Sequence, residues 1–149
     1  MEVGRVAFLR SKSSKVEMLK NVPLFRGLSQ RQVEQIARLA DEIEVGAGKR
    51  LASAGDIGHE LFVIVDGRAT VSTKDRRTVK LGPGEFFGEM SLIDGGPRSA
   101  TVDAATPMKL LVIGHREFWE LLTEAPPLAG KIMRALSERL RNAESAVTH

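Results

Sequence analysis

Hydrophobic positions along this chain change period twice. Over residues 28–40, LSQRQVEQIARLA, the residues Val33, Ile36, Ala37 and Ala40 fall on one face of a helix. Ser29 stands where a helix cap belongs, Gln32 completes a capping box three residues later, and Leu28 and Val33 take the flanking positions of a hydrophobic staple. From residue 42 the helical period gives way to short runs of Val, Ile, Leu and Thr between glycines: EIEVGAG, KRLASAG, ELFVIVDG, RATVSTK and TVKLGPG, then SATVDAA and MKLLVIG. Such runs predict about eight strands, each roughly four to seven residues long. Asp66-Gly67 between two of them signals a tight hairpin. After Gly114 the helical period returns with Phe118, Leu121 and Leu122, and Pro126-Pro127 punctuates the start of one more helix. That last helix carries Leu128, Ile132, Leu136, Leu140, Ala143 and Val147 as an apolar seam, which must pack on the barrel or on a second copy of itself.

The pattern therefore predicts a mainly β protein with flanking helices: an eight-stranded antiparallel jelly-roll barrel over 42–113, N-terminal helices over 15–40, and two C-terminal helices over 114–145. At 149 residues the chain suffices for one such domain, 15–149, after a basic arm at 1–14. The net charge of +3 is slight, and the cluster Arg5, Arg10, Lys12, Lys15 and Lys20 reads as a solvated face rather than a nucleic-acid or membrane contact. Hydrophobic residues at 42% and charged residues at 28% are the composition of a soluble globular protein. The absence of cysteine removes disulfides, thiolate catalysis and cysteine metal sites. No transmembrane segment is expected, because no window approaches the roughly 18 apolar residues that one requires. Val6-Ala7-Phe8-Leu9 is too short for a signal peptide, so a cytoplasmic location is the expectation.

One stretch breaks the strand pattern with charge: FGEMSLIDGGPRSATV, residues 87–102. It falls between a strand ending near Leu81 and one beginning near Ser99, and its apolar spacing predicts a loop with a single helical turn. Gly88 leaves the amides at the start of that turn unscreened, an arrangement that attracts anions. Arg98 presents a planar fork suited to phosphate, while Glu89 accepts from hydroxyls when ionised. A sugar phosphate would satisfy both charges, and so would an internal Glu89–Arg98 salt bridge. The three histidines, His59, His115 and His149, lie far apart in the chain, and no serine has a recognisable His and acid constellation. His59-Glu60 could form one corner of a metal-dependent jelly-roll enzyme, but a solvent-facing turn is the simpler reading. A binding module without catalytic residues, metal or cofactor is the expectation.

Phe87, Gly88 and Glu89 followed by Pro97, Arg98, Ser99, Ala100, Thr101 and Val102 fill a recognisable pattern, and VPLFRGLS, GDIGHELFVIVDGRATV and LGPGEFFGE extend it. Over roughly residues 15–142 the chain resembles the cyclic nucleotide-binding domain family, whose members include bacterial catabolite activator proteins, kinase regulatory subunits and gated channels. The resemblance implies that the Glu89 carboxylate accepts from the ribose 2′-hydroxyl and that Arg98 pairs with the cyclic phosphate. It implies mainly backbone contacts from Gly88, Met90 and Ser91, and a hydroxyl from Ser99 to the phosphate or to a guanine edge. Through Ser99, directly after the arginine, the resemblance implies cyclic AMP rather than cyclic GMP. Signalling would follow from movement of the C-terminal helices, with a residue near Arg139, Leu140 or Arg141 covering the base. The family joins this domain to an effector, so a partner protein or a further effector domain is implied. No direct nucleic-acid contact is expected, since nothing after residue 142 supplies a helix pair for a DNA groove. Assembly through the seam helix without a ligand is the alternative on the same fold.

Overall fold

The computed structural model describes residues 12–73 and 77–148, with side chains described over 15–73 and 77–142. The basic arm expected at 1–14 falls outside the described residues except for the start of the first helix. Helix α1 (Lys12–Lys20) is followed by a 3-10 turn (Pro23–Phe25) and by α2 (Gln30–Leu39). The Ser29 hydroxyl accepts from the Gln32 amide and the Gln32 side chain accepts from the Ser29 amide, so the capping box forms as the sequence indicates.

Eight strands follow: β1 (Asp41–Val45), β2 (Arg50–Ala52), β3 (Glu60–Asp66), β4 (Ala69–Ser72), β5 (Thr78–Leu81), β6 (Phe86–Phe87), β7 (Thr101–Ala104) and β8 (Met108–Gly114). They form two four-stranded antiparallel sheets, ordered β1-β8-β3-β6 and β2-β7-β4-β5. A short helix, α3 (Glu89–Asp94), lies between β6 and β7, and α4 (His115–Glu124) and α5 (Pro126–Thr148) close the chain. The charged stretch differs from its expected form at its start, because Phe86 and Phe87 pair with Val63 and Phe62 as a short edge strand rather than running as loop.

Alternation along β3 and β8 divides the interior in two. Phe62, Ile64, Leu110 and Val112 point between the sheets, where they meet Ile43, Phe87 and Val102. Leu61, Val63, Leu111 and Ile113 point outward onto Leu19, Phe25, Ile36, Phe118, Leu128 and Ile132 from the helices. A period of two in the strands thus gives one sheet two buried faces. The seam of α5 settles into this second core through Leu128 and Ile132, with Ala135 and Leu136 partly buried. Leu140 departs from the seam and stands 61% exposed. Ala143 and Val147 lie beyond the described side chains.

The hairpin signalled by Asp66-Gly67 joins β3 to β4, with Gly67 at φ +91°. A Cβ there would collide with the Pro107 carbonyl and stand 2.9 Å from Met108 Cα, both backbone atoms without freedom to yield. Gly67→Ala is therefore expected to destabilise the domain by about 2 kcal/mol, from left-handed strain plus overpacking. Urea denaturation checks it; a midpoint equal to wild type would mean the hairpin rearranges freely.

Candidate functional site

Glu89 and Arg98 are both buried, at 4% and 8% exposure, on either side of the α3 turn. Gly88 caps α3 at φ +94°, a conformation that lets the chain reverse from β6 directly into the helix. At the other end of the stretch, Arg98 is held by its own backbone. Its amide donates to the Asp56 carbonyl at 2.7 Å, its carbonyl accepts from the Gly55 amide at 2.9 Å, and Ile57 bridges to Pro97. The loop before β3 therefore fixes where the arginine leaves the chain.

The guanidinium then runs inward between two glycines. Its Nη1 donates to the Gly88 carbonyl at 3.1 Å and its Nη2 to the Glu60 carbonyl at 3.0 Å. Phe62 lies beneath, its ring centroid 5.9 Å from Cζ, and stacks in turn on Phe87 at 4.9 Å. A Cβ on Gly58 would overlap Nε, Cζ and Nη2 of Arg98, and one on Gly88 would overlap Nη1 and come within 2.6 Å of the Glu60 carbonyl. Burial lowers the Arg98 pKa, partly offset by the negative fields of Glu60 and Glu89. The cation is thus oriented by neutral carbonyl dipoles, which leave its charge for an anion to neutralise.

The internal Glu89–Arg98 salt bridge that the charges permit does not form. Glu89 is paired instead with Arg139 of α5: Arg139 Nη1 donates to Glu89 Oε1 and Nη2 donates to the Phe86 carbonyl. The Arg139 guanidinium also lies over the Phe86 ring at 4.6 Å. A residue 50 positions along the chain therefore closes over the carboxylate. Of the three candidates for a covering residue, Arg139 faces the site while Leu140 and Arg141 are exposed.

Among the other candidates, Ser91 is buried on α3, and the Met90 side chain projects outward at 51% exposure. Ser99 is exposed, its hydroxyl 3.9 Å from Met90 Sδ. His59 is exposed too, and among the described residues no group of three or more His, Asp or Glu is placed to hold a metal ion. Gly58 and the Glu60 carbonyl are the contributors that residue chemistry alone missed. Their signal is the GDIGHELF run, whose closely placed glycines mark a backbone that something approaches closely.

Because α5 meets the 87–102 stretch through Arg139, removing that side chain is expected to loosen the end of the helix. Arg139→Ala should accelerate amide exchange over residues 136–142 by about tenfold, the equivalent of about 1.4 kcal/mol of local opening energy. Equal exchange in the two proteins would show that the clasp contributes nothing to docking α5.

Two antiparallel sheets with helices on one outer face, carrying a carboxylate at the start of a short helix and an oriented guanidinium in the loop after it, define a domain of jelly-roll type. Residues 42–125 match the cyclic nucleotide-binding domain, and the chain belongs to that family. It is 41% identical over 138 residues to a cyclic nucleotide-gated potassium channel of Rhizobium etli, covering 93% of this chain and 38% of the channel. It is 35% identical over 140 residues to a cAMP-dependent protein kinase regulatory subunit of Mycosarcoma maydis, covering 88% of this chain and 26% of the subunit. Among solved structures, the Thermus thermophilus catabolite activator protein superposes with a TM-score of 0.75 at 30% identity, over 85% of this chain and 62% of that one. The chain thus spans well under half the length of the channel and the kinase subunit. No helix among the described residues is long and apolar enough to cross a membrane.

Proposed function

We propose that this domain is a non-enzymatic regulatory sensor that binds cyclic AMP in the 87–102 cassette and signals through the position of α5. The observation that carries the reading is the buried Arg98 fork, held by carbonyls and set across the α3 turn from the buried Glu89 carboxylate. A cyclic phosphate supplies the single negative charge that Arg98 lacks. A ribose hydroxyl supplies a donor for Glu89, whose Oε1 is taken by Arg139 and whose Oε2 is left to accept it. Gly88, Met90 and Ser91 line this position with backbone, and Ser99 stands beside it. Glu89 would then bind the nucleotide and α5 together, so that a nucleotide favouring the clasped arrangement pulls the equilibrium toward it. The naming of the kinase regulatory subunit as cAMP-dependent supports cyclic AMP over cyclic GMP.

Calorimetric titration of protein refolded free of nucleotide tests this directly, with cyclic AMP expected to bind at one site and cyclic GMP more weakly. Absence of binding by either would remove the sensor reading, and a cyclic GMP preference would overturn the assignment of the base. Trp119 on α4 is 42% exposed and lies edge-on to buried Phe118, so its emission is expected to shift during the same titration if α4 moves with α5. An effector, as a partner or a further domain, would read that movement. On α5, Met133 and Leu140 are exposed seven residues apart on one helical face. Pairing of two copies along that stripe is the proposed route to a homodimer, and light scattering with and without nucleotide reads it out.

A further inference from the structure

Three cations gather where the 3-10 turn meets α5. Arg26 follows the turn directly, while Lys131 and Arg134 stand three residues apart on α5 and so share a face of the helix. The Lys131 ammonium lies 3.9 Å from the position a Cβ would take on Gly27, whose φ of +83° turns the chain back toward it. Other surface cations do find carboxylates: Arg50 pairs with Asp103 at 2.8 Å, Lys109 with Glu44 at 3.9 Å and Lys20 with Glu17 at 3.4 Å. Among the described residues Arg26, Lys131 and Arg134 have no such partner. Lys131 is accordingly pushed below the ordinary lysine pKa, first by desolvation and then by the fields of Arg26 and Arg134.

We propose that Arg26, Lys131 and Arg134 form a binding site for a multiply charged phosphate, free or carried on a lipid headgroup, which staples α5 to the N-terminal helical layer. Two cations within reach of Lys131 at a single junction suit a compact tetrahedral anion better than the spaced carboxylates of an acidic peptide. Two planar forks and one ammonium supply donors from both sides of the junction. An anion there neutralises repulsion that the protein otherwise carries alone. It contacts Arg26 on one element and Lys131 and Arg134 on another, so it binds the docked arrangement of α5 and not an undocked one. Lys131 precedes Arg139 by eight residues, about 12 Å along the helix axis, so the same docking sets the Arg139–Glu89 clasp. That coupling to the cassette rests on the cyclic nucleotide reading; the anion site itself does not.

The experiment is calorimetry of the whole chain with inorganic triphosphate at low and moderate salt. Saturable binding is expected, weakened at least tenfold in Lys131→Gln/Arg134→Gln, and retained in Arg98→Ala, which separates this site from the cassette. Lys80→Gln, a charge removed from a distant strand, should change the affinity less than twofold. Flotation with phosphatidylcholine vesicles, with and without phosphatidic acid, distinguishes the sources: recruitment only by phosphatidic acid assigns a headgroup, and triphosphate binding without recruitment assigns a free anion. Lack of saturable triphosphate binding, equal binding by the double variant, or binding of an acidic peptide in its place would each overturn the proposal. A failed cyclic nucleotide titration would leave this outcome readable, because the probe does not enter through the cassette.

Discussion

Arg98→Ala is expected to weaken cyclic nucleotide binding by between about tenfold and a hundredfold while the domain still folds. A hydrogen bond to a charged group contributes about 1.5–3 kcal/mol, which converts to roughly that range of affinity. No neighbouring side chain can substitute, because Arg98 is the cation aimed inward from this loop and Arg139 is committed to Glu89 and the Phe86 carbonyl. Some stability must be lost as well, since the Gly88 and Glu60 carbonyls lose their guanidinium donors. Water entering the space left by the side chain offsets part of that cost. Thermal melts recorded beside calorimetry separate the two effects. Arg98→Lys sharpens the test, because an ammonium keeps the charge but cannot reach two carbonyls and a phosphate in one plane. It should recover less than half of the lost binding energy. An Arg98→Ala protein with wild-type affinity would end the phosphate assignment.

Where the chain's own periodicity is strong, the sequence was sufficient. Val63, Leu111 and their neighbours read as strands because β-branched and apolar residues recur between glycines, and Ser29 with Gln32 announced the start of α2. Glu89 and Arg98 were legible as chemistry because charge inside an apolar pattern is costly unless used. Phe86-Phe87 is not legible as a strand, since two residues carry no period, and the residues it pairs with on β3 lie more than twenty positions away. The four-residue step from Leu136 puts Leu140 on the α5 seam. The helix instead turns Arg139 inward, continuing the face of Leu128, Ile132 and Ala135, and its guanidinium finds a buried carboxylate. Spacing alone gives either choice. What decides is Glu89, because a buried carboxylate left without a partner costs more than leaving one leucine exposed.

Gly58→Ala is expected to reproduce most of the Arg98→Ala binding defect by displacing the arginine. The added methyl would occupy the space now held by Nε, Cζ and Nη2 of Arg98. Gly58 has no left-handed backbone to strain, so alanine is conformationally acceptable there. The clash is with the far end of a long side chain, so the backbone need not shift and the loss of stability should not exceed that of Arg98→Ala. The guanidinium, however, must leave its plane between Gly58 and Gly88 and surrender the carbonyls that aim it. A displacement of about 1 Å at an oriented charge is enough to forfeit much of its interaction with a fixed phosphate. The expected signature is therefore an affinity reduced at least tenfold with a melting temperature no lower than that of Arg98→Ala. Gly88→Ala provides the contrast, because its φ of +94° and its 2.6 Å approach to the Glu60 carbonyl predict a loss of both binding and stability. If Gly58→Ala binds as wild type, Arg98 has a second productive position, and the glycine platform is not what orients the charge.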